Sequence, residues 1–213
     1  MKRMGLRPRL RQGENGCPSE PTAKFALNDY PWTELTQAKW DLRRYIGDFC
    51  SGVPSTVFTI CDFNHIGREI NRKGLLMADE NHQVIRPKLA YWAIRNMTTL
   101  FNDELELLPG TCAARGENRM QAFAMTRKDD QAHQVAYWDR SGIPGEGDFT
   151  ARADLLLHGF RPENPVVVDP LSGAVYDFPA NQIHACGDRT LCLGVPCGDS
   201  PLVLADRAMI VIK

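Results

Sequence analysis

The chain of 213 residues is long enough for one large or two small domains, each able to bury a core. Its 43% hydrophobic and 24% charged residues are ordinary for a globular protein, and a formal net charge of −1 offers no global attraction to nucleic acid or an anionic membrane. No apolar run is long enough to span a bilayer, and the basic start (Lys2, Arg3, Arg7, Arg9, Arg11) lacks the apolar segment of a secretion signal, so a cytoplasmic protein is expected, with neither membrane nor nucleic acid as a partner.

Residues 10 to 20, "LRQGENGCPSE", set Glu14 between Gly13 and Gly16. Such a carboxylate is either a solvated turn residue or a reactive group that small neighbours let a ligand approach closely. Tyr30, Pro31 and Trp32 follow, able to stack on a ligand or to staple the start of a helix. Residues 33 to 50 predict that helix: Leu35, Ala38, Leu42, Tyr45, Ile46 and Phe49 share one face, Thr33 caps the start, and Gly52 lies just past the end. The nearly continuous apolar run "STVFTICDF", 55 to 63, predicts a strand buried on both faces of a parallel sheet. After a polar loop, a second helix is expected from Pro87 to about 101.

The rhythm changes after Pro109-Gly110. Eight short strand-like runs follow, "MQAFAMT", "HQVAYWD", "ADLLLHG", "PVVVDP", "GAVYDFP", "RTLCLGV", "PLVLAD" and "AMIVIK", separated by Gly- and Pro-rich turns. They predict a compact antiparallel β-sandwich over 110–213, after an α/β region over 1–105. The seven cysteines form no CxxC pair, which leaves a zinc site without support and points to a reducing compartment; no metal and no cofactor are expected.

In order and spacing these pieces resemble the end of a retaining glycoside hydrolase of the (β/α)8-barrel clan, followed by its C-terminal β-sandwich. "RQGENG" is similar to the family's nucleophile motif, "QAKWDLRRYIGDFCSGV" to barrel helix seven, "TVFTICDF" to strand eight, and "KGLLMADENHQVIRPKLAYWAIRNMTTLF" to the closing loop and helix eight. The resemblance implies a fold of α/β plus all-β type: the last two units of an incomplete barrel (strand 7 end, helix 7, strand 8, helix 8) and a small sandwich. Arg11 stands where the family usually has an aromatic residue.

Retaining hydrolysis needs two carboxyl groups about 5–5.5 Å apart. The resemblance assigns Glu14 as nucleophile, and Asn15, Trp32 and Asp62 as substrate-binding residues. The family's acid/base lies on barrel strand four, for which the thirteen residues before Glu14 leave no room. A glycosidase fragment nearly inactive alone is therefore expected, with a carbohydrate as partner and another copy or a complementary fragment completing the barrel. The competing expectation is a non-catalytic carbohydrate-binding or structural β-sandwich module.

Overall fold

A computed structural model describes residues 9–21, 26–64, 69–116, 119–147 and 151–210. The basic arm up to Arg7 lies outside them. Strand β1 (Gln12–Asn15) pairs in parallel with β2 (Ser55–Val57), and helix α1 (Glu34–Cys50) connects them. The helix starts where Thr33 and Thr36 exchange bonds: the Thr36 N–H donates to Thr33 Oγ1 at 3.2 Å and the Thr33 N–H to Thr36 Oγ1 at 2.9 Å. It stops at Ser51, and Gly52, at φ +65°, turns the chain away.

Two hairpins follow, β3 (Phe63–Asn64) with β4 (Ile70–Asn71) and β5 (Leu76–Ala78) with β6 (Val84–Pro87). Helix α2 (Leu89–Leu100) comes next. Pro87 ends β6 instead of opening the helix, and the extended Lys88 is the N-cap. Proline's fixed φ suits an exposed strand end as well as a first helical turn.

The remaining strands are β7 (Leu105–Leu107), β8 (Cys112–Arg115), β9 (Met120–Arg127), β10 (His133–Asp139), β11 (Ala151–His158), β12 (Val166–Asp169), β13 (Ala174–Asp177), β14 (Ile183–Cys186), β15 (Arg189–Cys197) and β16 (Leu202–Ala205). Short 3-10 turns occupy Ala180–Gln182 and Arg207–Met209. Six strands form one antiparallel sheet in the order β13-β12-β16-β10-β9-β7, and four form a second, β14-β15-β11-β8. This is the β-sandwich the turn-punctuated half predicts. Seven of the eight runs became strands; "AMIVIK" is a 3-10 turn as far as Met209, and residues 211–213 lie outside the described set.

The two sheets face one another through Tyr137, Leu204 and Val167 on one side and Leu155, Leu157 and Cys192 on the other. The opposite face of the six-stranded sheet is apolar too. Met125, Ala136, Trp138, Val166 and Val203 pack there with Ile46 and Cys50 of α1 and with Leu100 and Phe101. A strand such as β10 therefore reads as continuously apolar, because both of its faces are covered.

The barrel expectation is overturned, and the resemblance to a barrel hydrolase with it. Strands make up 39% and helices 19% of the structure, only two helices are present among the described residues, and none of the five sheets closes. A barrel alternates long strands with helices around a ring. Here β1–α1–β2 is a single parallel unit, β2 stops after three residues, and hairpins fill the chain between the helices. The run 55–63 is apolar without being enclosed: Ile60 is 61% exposed.

Candidate functional site

The residues singled out in the amino-terminal part occupy different settings. Glu14 sits exposed on β1. Of its flanking glycines, Gly16 is fixed by the chain itself, since a Cβ there would stand 1.9 Å from the Phe58 carbonyl oxygen, whereas one on Gly13 would meet nothing within 4 Å. The Asn15 side chain is turned inward, its amide donating to Asp48 Oδ2 at 3.2 Å and Ser55 Oγ at 3.4 Å. Its carbonyl accepts from the Tyr45 hydroxyl and from the Phe58 N–H at 2.8 Å, which ties β1 to α1 and β2. Trp32 is buried before α1; its indole N–H donates to the Leu27 carbonyl, and Tyr30 and Trp40 meet it edge-on at 4.9 and 6.4 Å.

Asp62 is sealed inside a charged cluster. Its Oδ1 accepts from Lys88 Nζ at 2.6 Å and from the Gly74 N–H at 2.9 Å, and Oδ2 accepts from Arg72 at 3.3 Å. Lys88 Nζ also reaches Ser19 Oγ at 2.9 Å and the Arg72 carbonyl at 3.2 Å. Burial lowers the Lys88 pKa from the usual lysine value, with the Asp62 carboxylate opposing. Nearby, burial pushes the Asp41 carboxyl well above the usual range, against the pull of Lys88. The same burial, with Asp41 adding to it, pushes the Cys17 thiol up. Asp62 and Lys88 have fully buried side chains, so this pair braces the start of α2 against Asp62 and the turn at 72–74 and is not open to a ligand.

Open chemistry gathers instead at one end of the sandwich. The β11–β12 loop, the end of β13 with the turn after it, and the turn after β16 border a cleft of about 710 Å³. Glu163, Asn164, Arg161, Asp177 and Arg207 line its polar part, over apolar surface from Phe178 and Ile183. Asp206 holds the loop in place, its two oxygens accepting the Glu163 N–H at 2.6 Å and the His133 N–H at 2.7 Å. Burial raises the Asp206 carboxyl above the usual value while those two amides oppose the shift. The His133 ring stacks on Phe160 at 4.5 Å, Thr190 Oγ1 donates to the Phe160 carbonyl at 3.1 Å, and the Phe178 N–H donates to the Pro165 carbonyl at 3.0 Å. Asp177 forms an ion pair with Arg207 across the cleft.

None of these cleft residues follows from the spacing of apolar positions, because three separate connections supply them. The one local signal is "GFRPENPV", where two prolines and the αL-tolerant Asn164, at φ 45°, mark a shaped loop carrying three polar side chains. Among the described residues no group of three or more His, Cys, Asp or Glu is placed to hold a metal ion, and all seven thiols are free. No helix among them is long and apolar enough to cross a membrane. Comparison of the chain with family models, with curated proteins and with solved structures finds no match.

Proposed function

We propose that this chain is a non-catalytic carbohydrate-binding β-sandwich module, with the cleft between Glu163, Arg161, Asp177 and Arg207 as its sugar site. The observation that carries this is the composition of the cleft: carboxylates, guanidinium groups and a carboxamide around an apolar floor, in about 710 Å³. A sugar ring offers hydroxyls that both donate and accept around its edge, and C–H groups on its faces. Carboxylates accept from such hydroxyls, guanidinium groups donate to them, and Asn164 does both. Phe178 and Ile183 suit the ring face. The volume lies in the usual range for small-ligand sites.

Binding without turnover fits the same geometry. The Asp177 side chain is 86% exposed and paired with Arg207, which suits a hydrogen-bond acceptor for a bound hydroxyl. Hydrolysis by Glu14 rested on a barrel that this chain does not form, and it is not carried forward.

Titration calorimetry with neutral oligosaccharides (β-1,4-glucan, β-1,4-xylan and α-1,4-glucan hexamers) tests the proposal. At least one hexamer is expected to bind without being cleaved, and Asp177→Ala or Arg161→Ala to weaken it by about tenfold, the loss of one or two hydrogen bonds to a charged group. Binding of none at millimolar concentration, or equal binding by both variants, overturns it.

A further inference from the structure

A second cavity lies where three layers meet, far in character from the sugar cleft. The last residue of α1, Cys50, the strand β7 with the exposed turn after it, the first residue of β8, Cys112, and the strand β9 line a partly open pocket of about 270 Å³. Leu107, Leu108, Ala122 and Phe123 supply much of the wall, and no lining residue carries a charge. Backbone groups of Leu108 there already have partners. The Leu108 N–H donates to the Ala124 carbonyl at 2.9 Å, and Thr111 Oγ1 donates to the Leu108 carbonyl at 2.7 Å. Gly110, at φ +75°, makes the tight turn that carries the chain from one sheet to the other. Alanines at positions 122 and 124 of β9 leave the room that larger strand residues would fill.

We propose that this cavity binds a small, uncharged, apolar molecule, an aromatic ring or short alkyl chain, seated between the thiols of Cys50 and Cys112. Size and chemistry point the same way. A cavity of roughly 150 Å³ lined by aliphatic and aromatic side chains already accepts a benzene ring. The two thiols do not alter that character. Burial pushes Cys50 up to about 12, with the neighbouring Cys112 adding to it, and pushes Cys112 up to about 11. Both are therefore neutral S–H groups near pH 7, acting as small hydrophobes with polarizable sulfur. A charged or strongly polar ligand would lose its hydration and find no compensating partner.

Fluorobenzene and the full chain provide the test. Titration followed by ¹⁹F NMR is expected to show saturable binding at one site. Ala122→Leu and Ala122→Trp, which fill the space, are expected to weaken it by about tenfold or more, in line with loss of the buried contact area. Near-UV circular dichroism checks that each variant folds, and Ala122→Leu stands as the gentler change if the tryptophan is not accepted. Alkylation by N-ethylmaleimide, read by peptide mass spectrometry, gives an independent measure. Saturating fluorobenzene is expected to slow labelling of Cys50 and Cys112 at least several-fold while the exposed Cys186 reacts unchanged. Binding that does not saturate, binding undiminished in Ala122→Leu, or equal labelling of Cys50 and Cys112 with and without the probe overturns the proposal.

Discussion

Single residues in the amino-terminal part are held by backbone proximity more than by surface chemistry. A Cβ on Gly16 would meet the Phe58 carbonyl oxygen at 1.9 Å, and one on Gly74 would meet the Asp62 amide nitrogen at 2.2 Å. Neither neighbour can swing aside, because both are main chain. Gly16→Ala and Gly74→Ala are each expected to cost about 3 kcal/mol or more, as overpacking against fixed atoms does, while Gly13→Ala stays within about 0.5 kcal/mol; chemical denaturation measures all three. Asp41 gives a pH prediction. Burial holds its folded pKa well above the ordinary aspartate value, so between the two the fold retains a proton that the unfolded chain has lost. Stability then falls as pH rises through that window and levels off above it. Asp41→Asn, uncharged throughout, is expected to remove the Asp41 share of the slope, melting at or above the parent at pH 7, with the advantage shrinking towards pH 4. Thermal denaturation at stepped pH checks this, and a variant uniformly weaker across the range would show the idea wrong. The sequence marks Glu14, Asn15 and Asp62 as noteworthy carboxylates and amide, yet contains no sign that Asp62 meets Lys88, a partner 26 positions away. Ion pairs of that range depend on the path of the intervening chain.

At the level of elements, α1 was legible almost to the residue, because its capping threonine and apolar face are both local signals. The sandwich strands were legible for the same reason, with turns bounding short runs. The short strands β7, β8 and β14 were not: "LEL", "CAAR" and "IHAC" hold too few β-branched residues to announce themselves, and tertiary pairing makes them strands. Equally invisible was the way α1 is fastened to the sandwich. Lys39, 4% exposed, places Nζ 2.9 Å from Asp199 Oδ1 and donates to the carbonyls of Gly145 and Gly147 at 2.9 and 3.0 Å. Arg43 donates to the Gly142 carbonyl and Tyr30 to that of Pro144, so one helix and its lead-in grip the 142–147 loop. Lys39→Met keeps the aliphatic stem but removes the charge and its hydrogen bonds. A loss of about 3 kcal/mol is expected, since a largely buried carboxylate and two carbonyls lose their partner, and urea denaturation reads it as a lower midpoint at unchanged slope.

The whole molecule is three layers: helices, a six-stranded sheet, and a four-stranded sheet. Apolar patterning does not say what will cover a strand: the run 55–63 suggested burial on both faces of a parallel sheet, yet Ile60 is exposed, whereas β10, which is covered on both faces, lies in an antiparallel sheet between helices and a second sheet. The layering also predicts the behaviour of a fragment. Residues 110–213 alone would leave Met125, Ala136, Trp138 and Val203 facing water. Expressed by itself, this piece is expected to bind anilinonaphthalene sulfonate strongly or to aggregate, as large exposed apolar patches do, whereas the full chain does neither. A soluble, dye-silent fragment with a sharp melting transition would contradict the three-layer description.

The position of β16 carries a consequence for biosynthesis. It is the last strand among the described residues, yet it lies between β12 and β10 in the middle of the larger sheet. As the polypeptide leaves the ribosome, the two helices emerge with their sticky sides bare, and the sheet beneath them stays split until Leu202–Ala205 has been made and slotted in. Final assembly of the larger sheet thus waits for β16, and a nascent chain stalled just short of Leu202 keeps the edges of β10 and β12 unpaired.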